Sequence, residues 1–178
     1  LPPDVNESFG PFSVAIRENE KEAIRFGLYS IKNFGEGIGD VIIEERKKNG
    51  PFKNLEDFLK RIQDKSLNKK SLEALIKSGA LDSLDDRATM YANIETLLAF
   101  SREFGQMPEN QDSLFAALPT EESSLTLAKG EEISKKDRLA WEKELLGLYV
   151  SGHPLDDYKE LLEGRATIKR IDQELKEG

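Results

Sequence analysis

The sequence predicts a mainly α-helical fold built of short elements, with a short N-terminal strand region and one long irregular loop. Three observations carry that prediction. Apolar residues recur at helical spacing in short blocks, many opened by Asn, Asp or Ser and closed by Gly or Pro. No stretch shows the strand–helix–strand rhythm of a parallel sheet. Residues 105–133 have no apolar periodicity.

Taken in order, Pro2, Pro3, Gly10 and Pro11 break any long element in residues 1–20, and the alternation of FSVAI at 12–16 predicts one short strand. KEAIRFGLYSI at 21–31 predicts a short helix starting near Gly27, interrupted by NFGEG at 33–37. A helix from Glu36 to Lys48 follows, with Ile38, Val41, Ile42 and Glu45 on the 3.6-residue period, and NGP at 49–51 stops it. Asn54 caps the next helix, with Asp57 at its third position and Phe58, Leu59 and Ile62 on its apolar side. Asn68 caps another, carrying Leu72, Leu75 and Ile76 and ending at Gly79. Asp85 or Asp86 starts a longer helix to Phe104, with Met90, Tyr91, Ile94, Leu97 and Leu98 facing inward. Ser134 with Asp137 opens the last clear helix, DRLAWEKELLGLYV, which stops at SGHP. Beyond Gly164 the chain is charged, and ATIKRI is a strand candidate.

The 178 residues suffice for one domain or two small ones, and 38% hydrophobic residues fill a modest core. Without cysteine there is no disulfide framework and no thiolate chemistry, and a single histidine argues against zinc. No apolar run approaches the ~20 residues of a membrane span. The chain opens on Leu, and LPPDVNESFGPF reads as mid-protein sequence, so a fragment of a longer chain is expected. The net charge of −8 is unevenly spread. Residues 21–77 hold 13 Lys/Arg against 9 Asp/Glu, a balance of +4 that leaves −12 for the rest. A basic module in an acidic chain fits a local phosphate contact, and equally an ordinary solvated surface.

In LYSIKNFGEGIGDVII, Leu28 and Ile31 precede a turn holding Asn33, Phe34, Gly35 and Gly37, and Ile38 and Ile42 follow on a helix. Asn tolerates φ > 0 and Gly adopts it freely, so a very tight turn is expected. Its amides, with the first N–H groups of the helix, form a phosphate-sized anion site. Gly39 lets the two limbs approach closely, and Lys32 adds a cation. The pattern Leu28, Ile31, Asn33, Phe34, Gly35, Gly39, Ile42 resembles the helix-hairpin-helix motif, with Asn33 where the motif has its first Gly. A second, more degenerate hairpin spans residues 68–95, turning at Gly79 with Ala80, Leu81 and Leu84. Lys65, Lys69, Lys70 and Lys77 lie near it. The DNA-binding candidates are therefore Lys32, Asn33, Gly35, Glu36, Gly37, Lys65, Lys69, Lys70, Lys77 and Gly79. Such contacts hold the backbone and carry no base information.

No residue group is a candidate catalytic or metal site. Asp85, Asp86, Asp156 and Asp157 read as helix caps, and His153 in SGHP as a turn residue. There is no phosphate-binding GK[ST], no nucleophile elbow and no Gly-rich loop after a strand.

Five stretches together resemble the α subunit of bacterial DNA polymerase III, the replicative C-family polymerase: LPPDVNES at 1–8, IRFGLYSIKNFGEG at 24–37, IIEERKKNGPFKNLEDFL at 42–59, NKKSLEALIKSGALDSL at 68–84 and WEKELLGLYVSGHPLDDY at 141–158. The resemblance implies that 1–20 ends a fingers region and that 21–104 is a tandem helix-hairpin-helix region on duplex DNA. Residues 105–133 would be a clamp-binding loop, 134–164 the C-terminal helical part of the same domain, and 165–178 a linker toward an OB domain outside this chain. The catalytic aspartates and their Mg²⁺ would lie outside this chain as well, which leaves the fragment without enzymatic activity or cofactor.

QDSLF at 111–115 matches the family's internal sliding-clamp motif. Gln111 would occupy a polar subsite, Leu114 and Phe115 an apolar pocket, with Asp112 and Ser113 between. The alternative is that Leu114 and Phe115 anchor the loop in their own core. The expected partners are double-stranded DNA, the clamp, the remaining polymerase domains and other replisome subunits, in the cytoplasm and without a membrane. Two other functions stay open: a structural or protein-interaction module with no DNA contact, and a DNA-binding fragment of a repair nuclease or ligase.

Overall fold

The computed structural model describes residues 1–16, 22–105 and 125–158. The mainly helical fold is borne out: six α-helices and one two-stranded sheet make up these residues, with two single 3₁₀ turns. Strand β1 (Ser13–Ile16) pairs antiparallel with β2 (Glu22–Arg25), Val14 opposite Ile24 and Ile16 opposite Glu22. Helices α1 (Glu36–Asn49), α2 (Leu55–Arg61) and α3 (Lys69–Ser78) follow. Then come α4 (Arg87–Ala92), α5 (Ile94–Gly105) and α6 (Lys135–Leu146).

The caps read from the sequence set the boundaries. Asn54 accepts from the Asp57 N–H at the start of α2, and Asn68 forms a full capping box with Ser71 at the start of α3. Asp86 accepts from Thr89 N–H and Ser134 from Asp137 N–H. Each cap satisfies a helix-end donor that would otherwise be unpaired, a contribution of ~1 kcal/mol. Gly50 and Gly79 end α1 and α3 with positive φ. At Gly79 the two closing bonds, Gly79 N–H to Ile76 O and Ala80 N–H to Leu75 O, form a Schellman motif.

Helix α3 lies at the centre, packed on α4, α5 and α6. Leu72, Leu75 and Ile76 are fully buried, in one core with Phe58 and Leu59 of α2, Ile42 of α1 and Leu97 of α5. Burying each such side chain contributes roughly 1.5–3 kcal/mol. The N-terminal segment joins the same core through Val5, which is fully buried. It is stitched down by Val5 N–H to Ala80 O, by Arg46 donating to the carbonyls of Val5 and Ser8, and by a two-way pairing of Asn6 with the Phe52 backbone.

Three expectations are corrected. The short helix expected to start near Gly27 does start there, but it is a single 3₁₀ turn, Leu28–Ser30, and the residues before it, Glu22–Arg25, form β2. Gly27 before it is extended (ψ 158°) and pressed against the backbone of Gly10 and Pro11, so a helix has no room to extend backwards. The helix expected over 86–104 is two helices, split at Asn93, and Tyr91 points outward at 38% exposure. Helix α6 stops at Leu146, not Val150, because Gly147 turns left-handed (φ 77°) and buried Glu142 takes the Val150 and Ser151 amides. Residues 125–130 form no helix or strand, and Leu125 and Leu127 are half-buried against the core. QDSLF and ATIKRI lie outside the described residues.

Candidate nucleic-acid interface

The turn at 31–37 is fixed from below and bare above. Ile31, Phe34 and Ile38 are buried, whereas Lys32, Asn33, Gly35, Glu36 and Gly37 are exposed. Phe34 N–H donates to Ile31 O at 3.2 Å, and Lys32 N–H donates to Leu145 O of α6 at 2.9 Å, which ties the turn to the far end of the chain. Asn33 adopts φ 66°, the one positive-φ non-glycine among the described residues. The expectation of left-handed glycines here is corrected: Gly35 is extended (φ −77°, ψ 146°) as the N-cap of α1, and Gly37 lies inside the helix. Asn33 alone makes the tight corner.

What the two glycines supply is clearance. A Cβ on Gly35 or Gly37 would meet nothing within 4 Å. No side chain caps α1. Its first amides therefore face outward at the positive end of a 14-residue helix. Gly39 does serve close approach, since its Cβ would touch the Tyr29 ring at 3.0 Å and Phe34 at 3.5 Å. The Tyr29 hydroxyl donates to Asp40, and this bond raises its pKa.

A cleft of about 170 Å³ adjoins the turn, lined by Asn33, Lys70, Glu73, Ala74, Lys77, Glu144 and Leu145. Positions 70, 73, 74 and 77 form one stripe of α3, so the first hairpin turn meets a face of the second hairpin.

A family model for the helix-hairpin-helix motif matches residues 1–90. The chain belongs to the helix-hairpin-helix family. It is also similar, over nearly its whole length, to one part of the DNA polymerase III α subunits, as the sequence resemblance implied. The Borreliella burgdorferi subunit is 42% identical over 173 residues, covering 94% of this chain and 15% of that protein. The Thermus aquaticus subunit is 41% identical over 178 residues, 99% of this chain and 14% of the relative. The Aquifex aeolicus subunit is 40% identical, 94% of this chain and 13% of the relative. The chain thus spans about one seventh of the length of these relatives.

Within this helix-hairpin-helix segment the predicted lysines divide. Lys70 is exposed, with no ion pair among the described residues. Lys77 is engaged: it bonds Glu73 at 2.6 Å and lies 5.1 Å from the Tyr91 ring centre and 5.2 Å from that of Trp141. Burial opposes its charge, but the hydrogen bond to Glu73 and the charges around it prevail and raise its pKa. Lys69 bonds Glu95 at 2.5 Å, which raises the lysine's pKa and lowers the glutamate's. Exposed Lys65 lines a separate cleft with Asn68, Leu98 and Arg102. Gly79 is buried at the opposite end of α3 from Lys69, and the Arg87 guanidinium covers its Cα.

Arg87, the Tyr91–Trp141 ring pair and Glu144 were not singled out from the sequence. Arg87 is buried, bonded to Asp82 and to Lys77 O. Its role depends on a turn closing eight residues earlier, and nothing local marks it. Among the described residues no cluster of His, Asp or Glu could hold a metal ion. None of their helices is long and apolar enough to cross a membrane.

Proposed function

We propose that this segment grips the backbone of double-stranded DNA for a bacterial replicative DNA polymerase, through turn 33–37 and the cleft it shares with Lys70. The observation that carries this reading is the bare turn: exposed amides at an uncapped helix start, with Gly35 and Gly37 leaving their outer side open. A phosphate oxygen can approach such amides closely, and Lys70 supplies a cation at the adjoining cleft. Names shared by the relatives supply the polymerase context. Template-directed synthesis, its Mg²⁺ and its catalytic carboxylates then belong to other parts of the polypeptide, and this segment contributes grip. QDSLF would add a second tether, to the sliding clamp; that part rests on its sequence alone. Two weak contacts on the same clamped duplex reinforce one another through effective concentration. Other replisome subunits and a cytoplasmic setting follow from the same reading.

Titration of short duplexes of two unrelated sequences at two salt concentrations tests the DNA contact. Binding should ignore sequence and weaken steeply with salt. Gly35→Val should weaken it at least tenfold by blocking the amides, without unfolding the protein. Equal binding by the two folded proteins defeats the reading.

A further inference from the structure

The hairpin β1–β2 is turned inside out. Directly opposed residues of an antiparallel pair share a face. Val14 and Ile24 therefore point the same way, with Ile16 and Phe12 two residues to either side of Val14. All four are exposed, Phe12 by 53%, Val14 by 68%, Ile16 by 76% and Ile24 by 65%, and exposed Glu22, opposite Ile16, closes the patch at its outer end. The other face carries Ser13, Ala15, Ala23 and Arg25, all half-buried. A hairpin that stabilised only its own domain would place the large apolar residues inward and the small and polar ones outward. Here the order is reversed, and Phe12 at the base packs on buried Phe26, ring centres 4.9 Å apart and planes tilted by 57°, continuing the patch into the core.

We infer that this face is an interdomain contact, covered by an apolar surface elsewhere in the same longer polypeptide; this rests on the polymerase reading above. Size selects that occupant. The four side chains expose on the order of 500 Å², at the upper end of what a soluble monomer tolerates as one patch. Covering them buries roughly 1,000 Å² in total. That falls short of the ~1,200 Å² at which stable self-association begins. It sits inside the roughly 600–1,500 Å² typical of contacts between domains of one chain, where the covalent link supplies the effective concentration. The relatives offer such a neighbour, because the alignments cover 94–99% of this chain but only 13–15% of theirs.

Hydroxyl-radical footprinting of the full-length purified protein, without DNA and over a range of concentrations, tests this. Phe12, Val14, Ile16 and Ile24 should react at least tenfold more slowly than free side chains, as Phe58 and Leu72 in the core will, at every concentration. Reaction at the rate of exposed side chains overturns the inference, and protection lost on dilution overturns it in favour of a second copy. The intact mass separates this failure from that of its premise. A mature protein of 20.1 kDa removes the polymerase reading and the inference with it, whereas a long polypeptide with a reactive hairpin removes the inference alone.

Discussion

The side-chain amide of Asn93 pairs with the backbone of Ala128 in both directions, donating to its carbonyl at 2.7 Å and accepting from its N–H at 3.1 Å. The same amide donates to Thr89 O, so one side chain ends α4, splits it from α5 and fastens residues 125–130 across the break. Gly130 continues the strap, lying against the Ala88 carbonyl with no room for a Cβ.

Asn93→Ala should therefore cost roughly 2–4 kcal/mol, the loss of several hydrogen bonds with part-buried partners left unpaired. Chemical denaturation gives the magnitude. Hydrogen exchange at the Ala128 amide should accelerate more than exchange at Leu75, because the strap detaches before the core opens.

Gly35 and Gly79 should respond oppositely to a side chain. Gly79→Ala forces a Cβ into φ 81° and displaces Arg87, so a loss of at least ~1–2 kcal/mol is expected. Gly35→Ala meets neither strain nor contact and should leave the melting temperature unchanged. Thermal melts of the two variants check this directly.

Lys70→Ala should lower the slope of log affinity for duplex DNA against log salt by about one, the loss of one phosphate contact. Lys77→Ala should lower stability instead, since that side chain packs on two rings and bonds Glu73. Equal effects of both variants on the slope would show that the cleft does not sort them as proposed.

The hydrogen bond from Thr89 N–H, more than any other influence, holds the Asp86 carboxylate below its usual pKa. A group whose folded pKa is depressed stabilises fully above its unfolded value of ~3.9, and that contribution is lost as pH falls through the folded value. Asp86→Asn keeps a capping oxygen but cannot titrate. Stability of the wild type should fall more steeply than that of the variant below about pH 4, read by urea midpoints at each pH.

Leu114→Ala with Phe115→Ala should nearly abolish binding to the sliding clamp, because anchors of this kind concentrate binding energy. If the loop presents them, the melting temperature should hardly change. If they are core anchors, stability should fall by ~2–5 kcal/mol per truncation. Calorimetry and surface-plasmon binding on the one variant separate these outcomes, and Gln111→Ala should give a smaller loss of affinity.

By itself the sequence determined the helices whose ends are marked within a few residues: α1 from NFGEG to NGP, α2 from Asn54, α3 from Asn68 to Gly79, and the start of α6 at Ser134. Caps, glycine stops and apolar spacing act over a single turn, so they are legible without the rest of the chain. The turn of the candidate interface was legible for the same reason, down to Asn33 in the left-handed region. Tertiary structure decided what depends on distant partners. Strand β2 has no signal of its own until β1 pairs with it, and the 86–104 pattern reads as one helix until Ala128 claims Asn93. Lys70 and Lys77 are seven residues apart on one helical stripe and look equivalent in sequence. Glu73 bonds Lys77, and the rings of Tyr91 and Trp141 lie beside it, while Lys70 stays exposed at the cleft. Long-range packing sorts side chains that local spacing cannot distinguish, because it depends on what the folded chain brings against each one.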